Sequence, residues 1–303
     1  MPELPEVETT TRGLRRTIVG LTIKDVWTDL ATKDKRKKDT VSNPKYFKFF
    51  KKEIRSKKVL SVERRAKNIL INISGGYTVL VHLKMTGHLL YGKYKFKENR
   101  WMPDEHGPLH DPFNRFVHVV FTFSNKKHLA FSDARKFGKI TLLDTRTMHE
   151  GKHLNNIGPE PLEKNFTLEK FKERLTLGGK RKIKTVLMDQ SVIAGIGNIY
   201  SDEILYRAGV HPDSLPGKIP AFLNKKMWTA MKEILAKGID FGGDSMSDYR
   251  NIKGLPGKFQ FHHQAYMRTG EECEKRGCNG KIKRKVINGR SSHFCDIHQQ
   301  LYA

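Results

Sequence analysis

The spacing of hydrophobic residues predicts one helix at the start of the chain, followed by a series of short strands. Between residues 2 and 19 the apolar positions recur at helical spacing, and they are Leu4, Val7, Leu14 and Ile18. Pro5 is compatible with this helix because it lies in the first turn, where its missing N–H is not needed. The runs that predict strands are Leu21–Trp27, Val59–Arg64, Asn68–Ile73, Thr78–Leu83, Phe116–Phe123, His128–Ser132 and Lys139–Leu143. Strands this short favour a β-sandwich or a flattened barrel with the helix packed on it.

Two segments interrupt these strands, and a helical region follows them. Lys33–Lys58 is rich in lysine, whereas Lys93–Arg115 contains Gly and several Pro residues and is therefore predicted to be a loop. Beyond residue 156 the candidate helices are Thr167–Leu175, Ile183–Met188, Ser201–Ala208 and Phe222–Lys237. Residues 266–303 are too few to form a hydrophobic core of their own. The pattern therefore predicts an α+β chain with domains at 2–150, 156–262 and 266–303.

The charge of the chain gives information on its binding partner rather than on its fold. The chain of 303 residues has 57 Lys and Arg against 32 Asp and Glu, a net charge of +25. Such a field attracts polyanions, of which nucleic acid is the usual one, although a genome-wide bias toward basic residues would give the same excess. No apolar run approaches the length of a membrane span, and the first residues lack the pattern of a signal peptide. We therefore expect a cytoplasmic protein with reduced or metal-bound thiols.

All three cysteines lie near the C-terminus. Their arrangement is Cys273-x4-Cys278-x16-Cys295-x2-His298. Two pairs of ligands separated by a hairpin-sized spacer can hold one structural Zn²⁺, and the metal would then largely create the fold of this region. The spacer Lys281–Ser292, with its Asn288-Gly289 turn, predicts that hairpin. His293 is the alternative fourth ligand, and three unrelated buried thiols are the alternative to a metal site. The spacer is also rich in basic residues, which is typical of a DNA-binding finger but also of a solvated face.

The first residues form a second candidate site. Pro2 follows Met1, and proline is small enough for the initiator methionine to be removed, which would leave a secondary amine at Pro2. An α-amino group titrates at about 7.7–8.0, so part of it is uncharged at neutral pH and can act as a nucleophile. Glu3 and Glu6 lie within the first helical turn, in reach of proton transfer to a substrate. Because Pro and Glu are also common at helix starts, this pattern alone leaves both interpretations open.

Further short motifs follow one another along the chain. They are Met1-Pro2-Glu3-Leu4-Pro5-Glu6-Val7-Glu8, Arg64-Arg65-Ala66-Lys67, His82-Leu83-Lys84-Met85-Thr86-Gly87, Ser132-Asp133-Ala134-Arg135-Lys136-Phe137-Gly138, Leu187-Met188-Asp189-Gln190 and Gly195-Ile196-Gly197-Asn198-Ile199-Tyr200. Together with the cysteine cluster, these motifs resemble those of the formamidopyrimidine-DNA glycosylase family, in the family's order and over the whole chain. The resemblance implies an N-terminal catalytic β-sandwich, a helix–two-turn–helix DNA-binding domain and a zinc finger, with DNA in the cleft between the domains.

The resemblance also implies roles for residues in the catalytic group. Pro2 would attack C1′ of a damaged nucleotide and form a Schiff base. Glu3 would protonate the sugar ring oxygen, with Glu6 in support. Lys67 would bind phosphate and assist β-elimination, and Arg290 would assist δ-elimination.

A further group is implied to contact DNA. Met85, Arg135 and Phe137 would fill the stack from which the damaged base is extruded, as an apolar wedge and an arginine can. Asn198 would hold a phosphate beside the Gly195-x-Gly197 turn, where backbone N–H groups are exposed at a helix start. The remaining basic candidates are Lys180, Arg181, Arg115 and His118. Phe116 stands where the family has a DNA-contacting histidine, which puts that contact in doubt.

The function implied is that of a bifunctional glycosylase and AP lyase. It would act as a monomer on double-stranded DNA in the nucleoid, remove 8-oxoguanine and formamidopyrimidines, and cleave the strand by β,δ-elimination. Leu4 is typical of the purine branch, and Gly242–Phe261 resembles the loop that covers a flipped purine. The alternatives are an endonuclease VIII-like enzyme for oxidised pyrimidines and a non-catalytic DNA-binding protein. The finger departs from the family's usual four cysteines with x2 in both pairs.

Overall fold

The computed structural model describes residues 1–246 and 248–303, so Ser247, within the predicted Gly242–Phe261 loop, lies outside the described residues. The chain divides into two compact units. The first comprises Met1–Asn155 and Phe241–Lys258, and the second comprises Asn156–Asp240 and Phe259–Ala303. The segment Phe241–Lys258, which the sequence pattern groups with the middle domain, thus belongs to the first unit, because its contacts are with the first helix and the strands.

The first unit is a β-sandwich with two helices. Its elements are α1 (Leu4–Thr17), β1 (Ile23–Thr28), α2 (Pro44–Ile54), β2 (Val59–Arg65), β3 (Asn68–Ile73), β4 (Tyr77–His82), β5 (His88–Gly92), β6 (Tyr94–Lys97), β7 (Arg100–Pro103), β8 (Val117–Phe123), β9 (His128–Ser132) and β10 (Lys139–Asp144). Within the described residues, one antiparallel sheet has the order β1-β8-β9-β5 and the other β10-β4-β3-β2. The predicted first helix and predicted strands are present, with ends within two residues of the expected bounds.

The core of the first unit lies between the two sheets and beneath α1. Val7 and Leu14 of α1 are fully buried because they lie on one face of the helix, where they join the core formed by the strands. Phe50 of α2 is also buried, and its ring centroid lies 6.2 Å from that of Phe121 in β8. The buried face of α1 therefore holds the helix that follows the first residues of the chain against the sandwich core.

The lysine-rich segment 33–58 contains a helix that the sequence pattern did not predict. The side chain of Asn43 caps α2 by accepting hydrogen bonds from the backbone N–H groups of Lys45 and Tyr46, each at 3.0 Å. Phe50 and Ile54 lie one turn apart on the buried face. The lysines occupy the other face, so their number concealed an amphipathic helix.

The prediction that Lys93–Arg115 is a loop is wrong for its first half. Strands β6 and β7 form a hairpin whose turn residues Glu98 and Asn99 have φ values of 51° and 62°. Trp101 of β7 lies edge-on to Trp27 of β1, with ring centroids 6.4 Å apart. The hairpin forms because its aromatic side chains bury against the outer face of the sheet, in a small core of its own.

The second unit is helical and ends in a hairpin. Its elements are α3 (Leu168–Thr176), α4 (Ile183–Met188), α5 (Asn198–Ala208), α6 (Ala221–Asp240), β11 (Ile282–Ile287) and β12 (Arg290–Cys295). The predicted helices and the predicted finger hairpin are present, and α5 begins three residues earlier than expected, at Asn198. Across residues 1–246 and 248–303, no helix is both long and apolar enough to cross a lipid bilayer.

A buried ion pair attaches the hairpin to the helices of the second unit. Lys184 Nζ of α4 donates to Asp202 Oδ1 of α5 at 2.6 Å, and both side chains are buried. Asp202 also accepts from the hydroxyl of Ser292 at 2.9 Å and from the backbone N–H of His293 at 2.9 Å. The buried carboxylate is therefore surrounded by hydrogen-bond donors in place of solvent. These bonds fix β12 against α4 and α5.

Candidate functional site

The start of α1 carries two buried carboxylates. Glu3 and Glu6 are each 1% exposed, and Pro2 before them is buried. Glu6 Oε2 accepts the backbone N–H of Glu3 at 2.7 Å, and Glu6 Oε1 accepts the backbone N–H of Asp244 at 2.7 Å. The hydroxyl of Tyr249 donates to the carbonyl of Glu6 at 3.0 Å. Glu6 therefore joins the first turn of the chain to the segment Phe241–Lys258.

Gly243 allows this close approach. Its φ is +89°, and a Cβ at this position would lie 2.8 Å from Glu6 Cγ and 3.1 Å from Tyr249 Cε1. Only glycine fits both the backbone conformation and the space. Met1 is exposed at the same end of the helix, so it is accessible for removal.

Segment 241–258 is held at a second point by residues that the sequence pattern missed. Arg250 Nε donates to Asp111 Oδ2 at 3.1 Å, and its guanidinium lies 4.5 Å from the ring centroid of Phe113. Asn114 Nδ2 donates to the carbonyls of Pro108, at 2.9 Å, and Gly254, at 3.4 Å. The contacts to Arg250 and Gly254 join residues more than a hundred positions apart in sequence, so no local signal indicates them.

Lys67 lies in the turn between β2 and β3. Ala66, which precedes it, has a φ of 53°, and Lys67 is buried. Arg64 supports the turn by donating to the carbonyl of Ala66 at 3.1 Å and to Glu8 Oε2 at 2.8 Å. Because Glu8 belongs to α1, the turn that carries Lys67 is attached to the helix that carries Glu3 and Glu6.

The surroundings of Lys67 are strongly cationic. Burial, followed by the charges of Lys84 and Lys67, lowers the pKa of His82 to about 3, so this imidazole is neutral at physiological pH. His82 pairs with Asn68 across β3 and β4, one residue beyond Lys67. This corner of the sandwich is suited to hold an anion.

The structure brings Met85, Arg135 and Phe137, here called the wedge residues, into one cluster. An Nη of Arg135 lies 3.1 Å from the sulfur of Met85, and its guanidinium carbon lies 4.6 Å from the ring centroid of Phe137. Met85 is 37% exposed and Phe137 is 45% exposed. Both apolar side chains therefore project from the surface rather than entering the core.

Asp133 builds the turn that presents this cluster. Its fully buried carboxylate accepts the hydroxyl of Thr86 and, at 2.7 Å, the backbone N–H of Gly138. A Cβ at Gly138 would lie 2.2 Å from the ring of Phe131, so the turn closes only around glycine. The two loops that carry the wedge residues are thus joined through one carboxylate.

Arg115 and His118 differ in their surroundings. Arg115 is exposed, with its guanidinium 4.9 Å from the ring centroid of Phe116. His118 is buried, and its Nδ1 lies 2.9 Å from Asp29 Oδ1. The structure therefore leaves Arg115 on the surface and commits His118 to a contact with an acidic side chain, which does not support a phosphate contact by His118.

Asn198 begins α5, directly after the Gly195-x-Gly197 turn. Gly195 has a φ of 85°, and its N–H donates to Gln190 Oε1 at 2.8 Å. Gln190 Nε2 in turn donates to the carbonyls of Met188, at 2.9 Å, and Ile196, at 2.8 Å. The amide oxygen of Asn198 is buried without a hydrogen-bond partner in the described part of the chain.

Arg181 and Arg290 line one cavity of about 370 Å³ between α4 and the finger hairpin. Arg181 caps the end of α3 by donating to the carbonyl of Leu177 at 3.1 Å, and it pairs with Asp189 at 2.6 Å. Arg290 is exposed and opens β12 after the Asn288-Gly289 turn, and Lys180 is exposed beside Arg181. Arg181 is therefore partly committed to the fold, whereas Arg290 and Lys180 face solvent.

Cys273, Cys278, Cys295 and His298 form a cluster that could hold a metal ion, because their ligand atoms lie within 4.8 Å of one another. Cys278 Sγ and Cys295 Sγ are 3.6 Å apart, and Cys273 Sγ is 3.1 Å from His298 Nδ1. Tetrahedral bonds of about 2.0–2.3 Å separate ligand atoms by about 3.3–3.8 Å, so the cluster has the right size. The alternative ligand His293 is instead bound to Asp202, with its Nδ1 at 3.2 Å.

Tyr206 of α5 is an outer partner of this cluster that the sequence pattern missed. Its hydroxyl lies 3.1 Å from Cys273 Sγ, and its carbonyl lies 3.0 Å from His298 Nε2. A ligating histidine needs such an acceptor on its second nitrogen, because this fixes the tautomer and the ring orientation. His298 can therefore present Nδ1 to a metal while α5 holds the other side of the ring.

Comparison with known proteins agrees with this arrangement. A family model described as the formamidopyrimidine-DNA glycosylase N-terminal domain matches residues 1–140, and one described as the H2TH domain of the same glycosylases matches residues 157–250. The chain belongs to the formamidopyrimidine-DNA glycosylase family. Members from Pelotomaculum thermopropionicum and Herpetosiphon aurantiacus are 38% and 37% identical, each over 99% of this chain and 100% of the relative.

Solved structures of the family have the same fold. The complex between Lactococcus lactis Fpg and DNA containing an abasic site is 31% identical and superimposes with a TM-score of 0.82, covering 98% of this chain and 99% of that one. The complex of a Lactococcus lactis Fpg mutant with DNA containing Fapy-dG gives the same identity and score, over 99% of this chain and 100% of that one. The predicted α+β class and family are therefore confirmed.

Proposed function

We propose that this chain is a base-excision-repair DNA glycosylase with AP lyase activity, which acts as a monomer on double-stranded DNA containing an oxidised base or an abasic site. The observation that carries the proposal is the pair of buried carboxylates of Glu3 and Glu6, which follow Pro2 in the first turn of the chain, where removal of Met1 would leave the amine of Pro2 free. Binding alone requires no buried carboxylates behind a proline amine. The family's name and its solved complexes with damaged DNA support the substrate class.

The chemistry begins at Pro2 once Met1 is removed. The lone pair of the proline nitrogen attacks C1′ of the lesion nucleotide, and the bond from C1′ to the base breaks, so that the base leaves with that electron pair and takes up a proton, while the proline nitrogen gives up its own proton. Glu3 gives a proton to the ring oxygen as the sugar opens, and an iminium links Pro2 to C1′. Glu6 supports this step by holding the backbone of Glu3.

Strand cleavage follows from the iminium, which acidifies C2′. Loss of a C2′ proton expels the 3′ phosphate, and loss of a C4′ proton then expels the 5′ phosphate. Lys67, in the cationic corner beside His82, binds phosphate and assists the first elimination. Arg290, exposed at the tip of the finger hairpin, assists the second.

The remaining DNA contacts are assigned to side chains that reach the protein surface. The wedge residues fill the stack left by the extruded nucleotide, since they are exposed, clustered and supplied by two joined loops. Asn198 contacts a phosphate through its side chain and the start of α5. Lys180, Arg181 and Arg115 add cationic contacts, and His118 is omitted because of its contact with Asp29.

One structural zinc ion at Cys273, Cys278, Cys295 and His298 completes the proposal. When bound, the ion supplies a covalent-like cross-link for a segment that has few other core contacts. The supporting observations are the ligand spacing and the carbonyl of Tyr206 behind His298. A stoichiometry near one zinc per chain, lost in a Cys295→Ala variant, would support the site, and metal-free protein of full stability would contradict it.

Borohydride trapping on a duplex with an abasic site tests the catalytic proposal. Protein with a trimmed N-terminus should form a covalent adduct with DNA, because borohydride reduces the iminium. Protein that retains Met1 is the matched control and should form much less adduct, because its primary amine lies one residue away from the position beside Glu3. Absence of an adduct from trimmed, zinc-loaded protein that still binds the duplex would favour the non-catalytic DNA-binding alternative.

The preference for purines is tested separately. Leu4 and segment 241–258, which is fixed over the first turn by Glu6, favour excision of 8-oxoguanine. Rates of excision of 8-oxoguanine and thymine glycol from matched duplexes distinguish the two branches. Faster removal of thymine glycol would favour the endonuclease VIII-like alternative.

A further inference from the structure

Residues 33–39 lie beside the turn that carries two of the wedge residues. Lys37 Nζ donates to the carbonyl of Lys136 at 2.7 Å, and Lys136 lies between Arg135 and Phe137 in the sequence. The backbone N–H of Val41 donates to the carbonyl of Ile140 at 3.0 Å. Because β10 is the edge strand of its sheet, these bonds fix the segment along that edge. The segment is therefore an ordered neighbour of the wedge.

This region carries more positive charge than the carboxylates around it can neutralise. Residues 33–39 together with positions 136, 139 and 152 have eight Lys or Arg side chains against two Asp side chains. Asp34 is paired with Arg36 at 2.9 Å, and Asp39 is paired with Lys152 at 2.6 Å. The residues that we call the lysine patch are Lys35, Lys38, Lys136, Lys139 and Lys152.

At the interior edge of the lysine patch, burial and neighbouring cations act together on two basic groups. Lys139 Nζ lies 2.9 Å from His153 Nδ1. Burial, followed by the charges of Lys152 and Lys84, lowers the pKa of Lys139 to about 8. Burial and the charges of Lys139 and Lys152 lower the pKa of His153 to about 4. A surface in this condition gains free energy when an external anion supplies the missing negative charge.

We propose that the lysine patch binds the sugar–phosphate backbone of duplex DNA next to the point where the wedge residues enter the stack. The proposal rests on the proposed function, since that function brings DNA to the wedge. Duplex DNA carries one phosphate per about 3.4 Å of each strand, so a backbone that passes the wedge also passes the cations of residues 33–39 and Lys136, which the Lys37 contact holds beside the wedge turn. The lysine-rich segment that interrupts the predicted strands thereby gains a role as an extension of the DNA-binding surface.

A pair of charge-matched variants tests the lysine patch. One carries Lys35→Gln, Lys38→Gln and Lys136→Gln, and its side chains are exposed, so no buried contact is lost. The control carries Lys24→Gln, Lys126→Gln and Lys127→Gln, which lie at the opposite end of the β8–β9 hairpin from the wedge turn. Lys136 and Lys126 have φ values of 55° and 61°, so each variant contains one substitution in left-handed backbone.

Binding to a duplex with a tetrahydrofuran abasic analogue is measured by fluorescence anisotropy at increasing KCl. Each lost phosphate contact should make the slope of log K against log salt shallower by about 0.9. The slope should therefore become shallower by about 3 in the patch variant and by less than about 1 in the control. Equal slopes for the two variants would overturn the proposal. So would an unchanged DNA slope accompanied by loss of polyglutamate binding, since this would indicate an acidic protein partner instead.

Borohydride trapping by the wild-type protein is measured alongside. Failure to trap would overturn the proposed lyase activity but leave the comparison of slopes interpretable, because the abasic analogue binds without reacting. A patch variant that binds with the wild-type slope, while the wild type traps normally, would overturn the lysine patch alone.

Discussion

Replacing Glu6 with Gln tests whether this buried carboxylate holds segment 241–258 against the first helix. Its two oxygens accept the backbone N–H groups of Glu3 and Asp244, each at 2.7 Å. Gln has the same shape but carries an NH₂ group in place of one oxygen, so one of the two backbone donors would face another donor. We expect the bond to Asp244 to be lost, because the bond to Glu3 lies within the first turn of α1.

The magnitude follows from burial. A hydrogen bond to a charged group contributes about 1.5–3 kcal/mol, and a buried donor left without a partner costs about 1–3 kcal/mol. Because Glu6 is 1% exposed, solvent cannot replace the lost acceptor. We therefore expect Glu6→Gln to lower the free energy of unfolding by about 2–4 kcal/mol.

Gly243→Ala perturbs the same contact from the other side. Its Cβ would lie 2.8 Å from Glu6 Cγ, and overpacking of this kind costs about 1–3 kcal/mol. Since both substitutions break one contact, the double variant should lose less than the sum of the two single losses. Urea denaturation of the four proteins measures this coupling.

Kinetics then separate a positioning role for Glu6 from a role in proton transfer. If Glu6 acts through segment 241–258, excision of 8-oxoguanine should fall at least about tenfold, or about 1.4 kcal/mol, while cleavage of a preformed abasic site, which has no base to cover, changes little. Glu8→Gln is the contrasting variant, because Glu8 contacts Arg64 of the Lys67 turn instead of Asp244, so any loss of activity there should include abasic-site cleavage. Equal loss of excision and abasic-site cleavage in Glu6→Gln would refute the positioning role.

Three further changes probe the metal cluster, the charge excess and the buried ion pair. Tyr206→Phe removes the hydroxyl beside Cys273 and should weaken zinc binding about 10–100-fold in chelator competition; unchanged affinity would exclude the hydroxyl as an outer partner of the metal. The pKa of Lys139 is lowered to about 8, so its charged form destabilises the fold below pH 8. This destabilisation decreases as the pH rises from about 8 toward the ordinary lysine pKa of 10.5. Lys139→Gln should therefore stabilise the protein at pH 7, by about 1 kcal/mol after solvent screening, and the gain over wild type should shrink above pH 8; equal urea midpoints at pH 7 would contradict this. Lys184→Met leaves Asp202 buried without its cation and should cost about 3–5 kcal/mol in urea unfolding, whereas a loss below about 1 kcal/mol would show that the remaining donors suffice.

Periodicity located elements where one face is buried and the other is not. Asn68–Ile73 is the exception: it was predicted and is observed at the same residues although five of its six residues are buried, because its apolar run Ile69–Ile71 is typical of a strand covered on both faces. The sequence pattern did not predict α2, because its buried residues Phe50 and Ile54 are outnumbered by the lysines on its other face. The β6–β7 hairpin was hidden by the Gly and Pro residues that follow it, although Trp101 and Tyr94 carry the burial signal.

The types of residue in the sequence indicated where the candidate site lies, but not which of its basic side chains remain free of contacts within the protein. Arg115 and His118 are three residues apart and both basic, yet only Arg115 remains on the surface. The difference is made by Asp29, which lies 89 residues from His118 in sequence and 2.9 Å from it in space. Arg181 is similar, because its partner Asp189 and the end of α3 occupy part of its hydrogen-bonding capacity. Competition of this kind is tertiary and has no counterpart in local spacing.

The fourth ligand of the finger shows how a departure from the family pattern is accommodated. Replacing a thiolate by a neutral imidazole lowers the negative charge of a bound zinc site by one, and it introduces a second ring nitrogen that needs a partner. The x2 spacing favours His298 as the ligand but does not indicate which group would accept a hydrogen bond from its second ring nitrogen. The carbonyl of Tyr206 accepts it at 3.0 Å, while His293, the other candidate, is occupied by Asp202. α5 therefore holds His298 beside the three cysteines and His293 away from them, which favours His298 as the fourth ligand of the proposed zinc site.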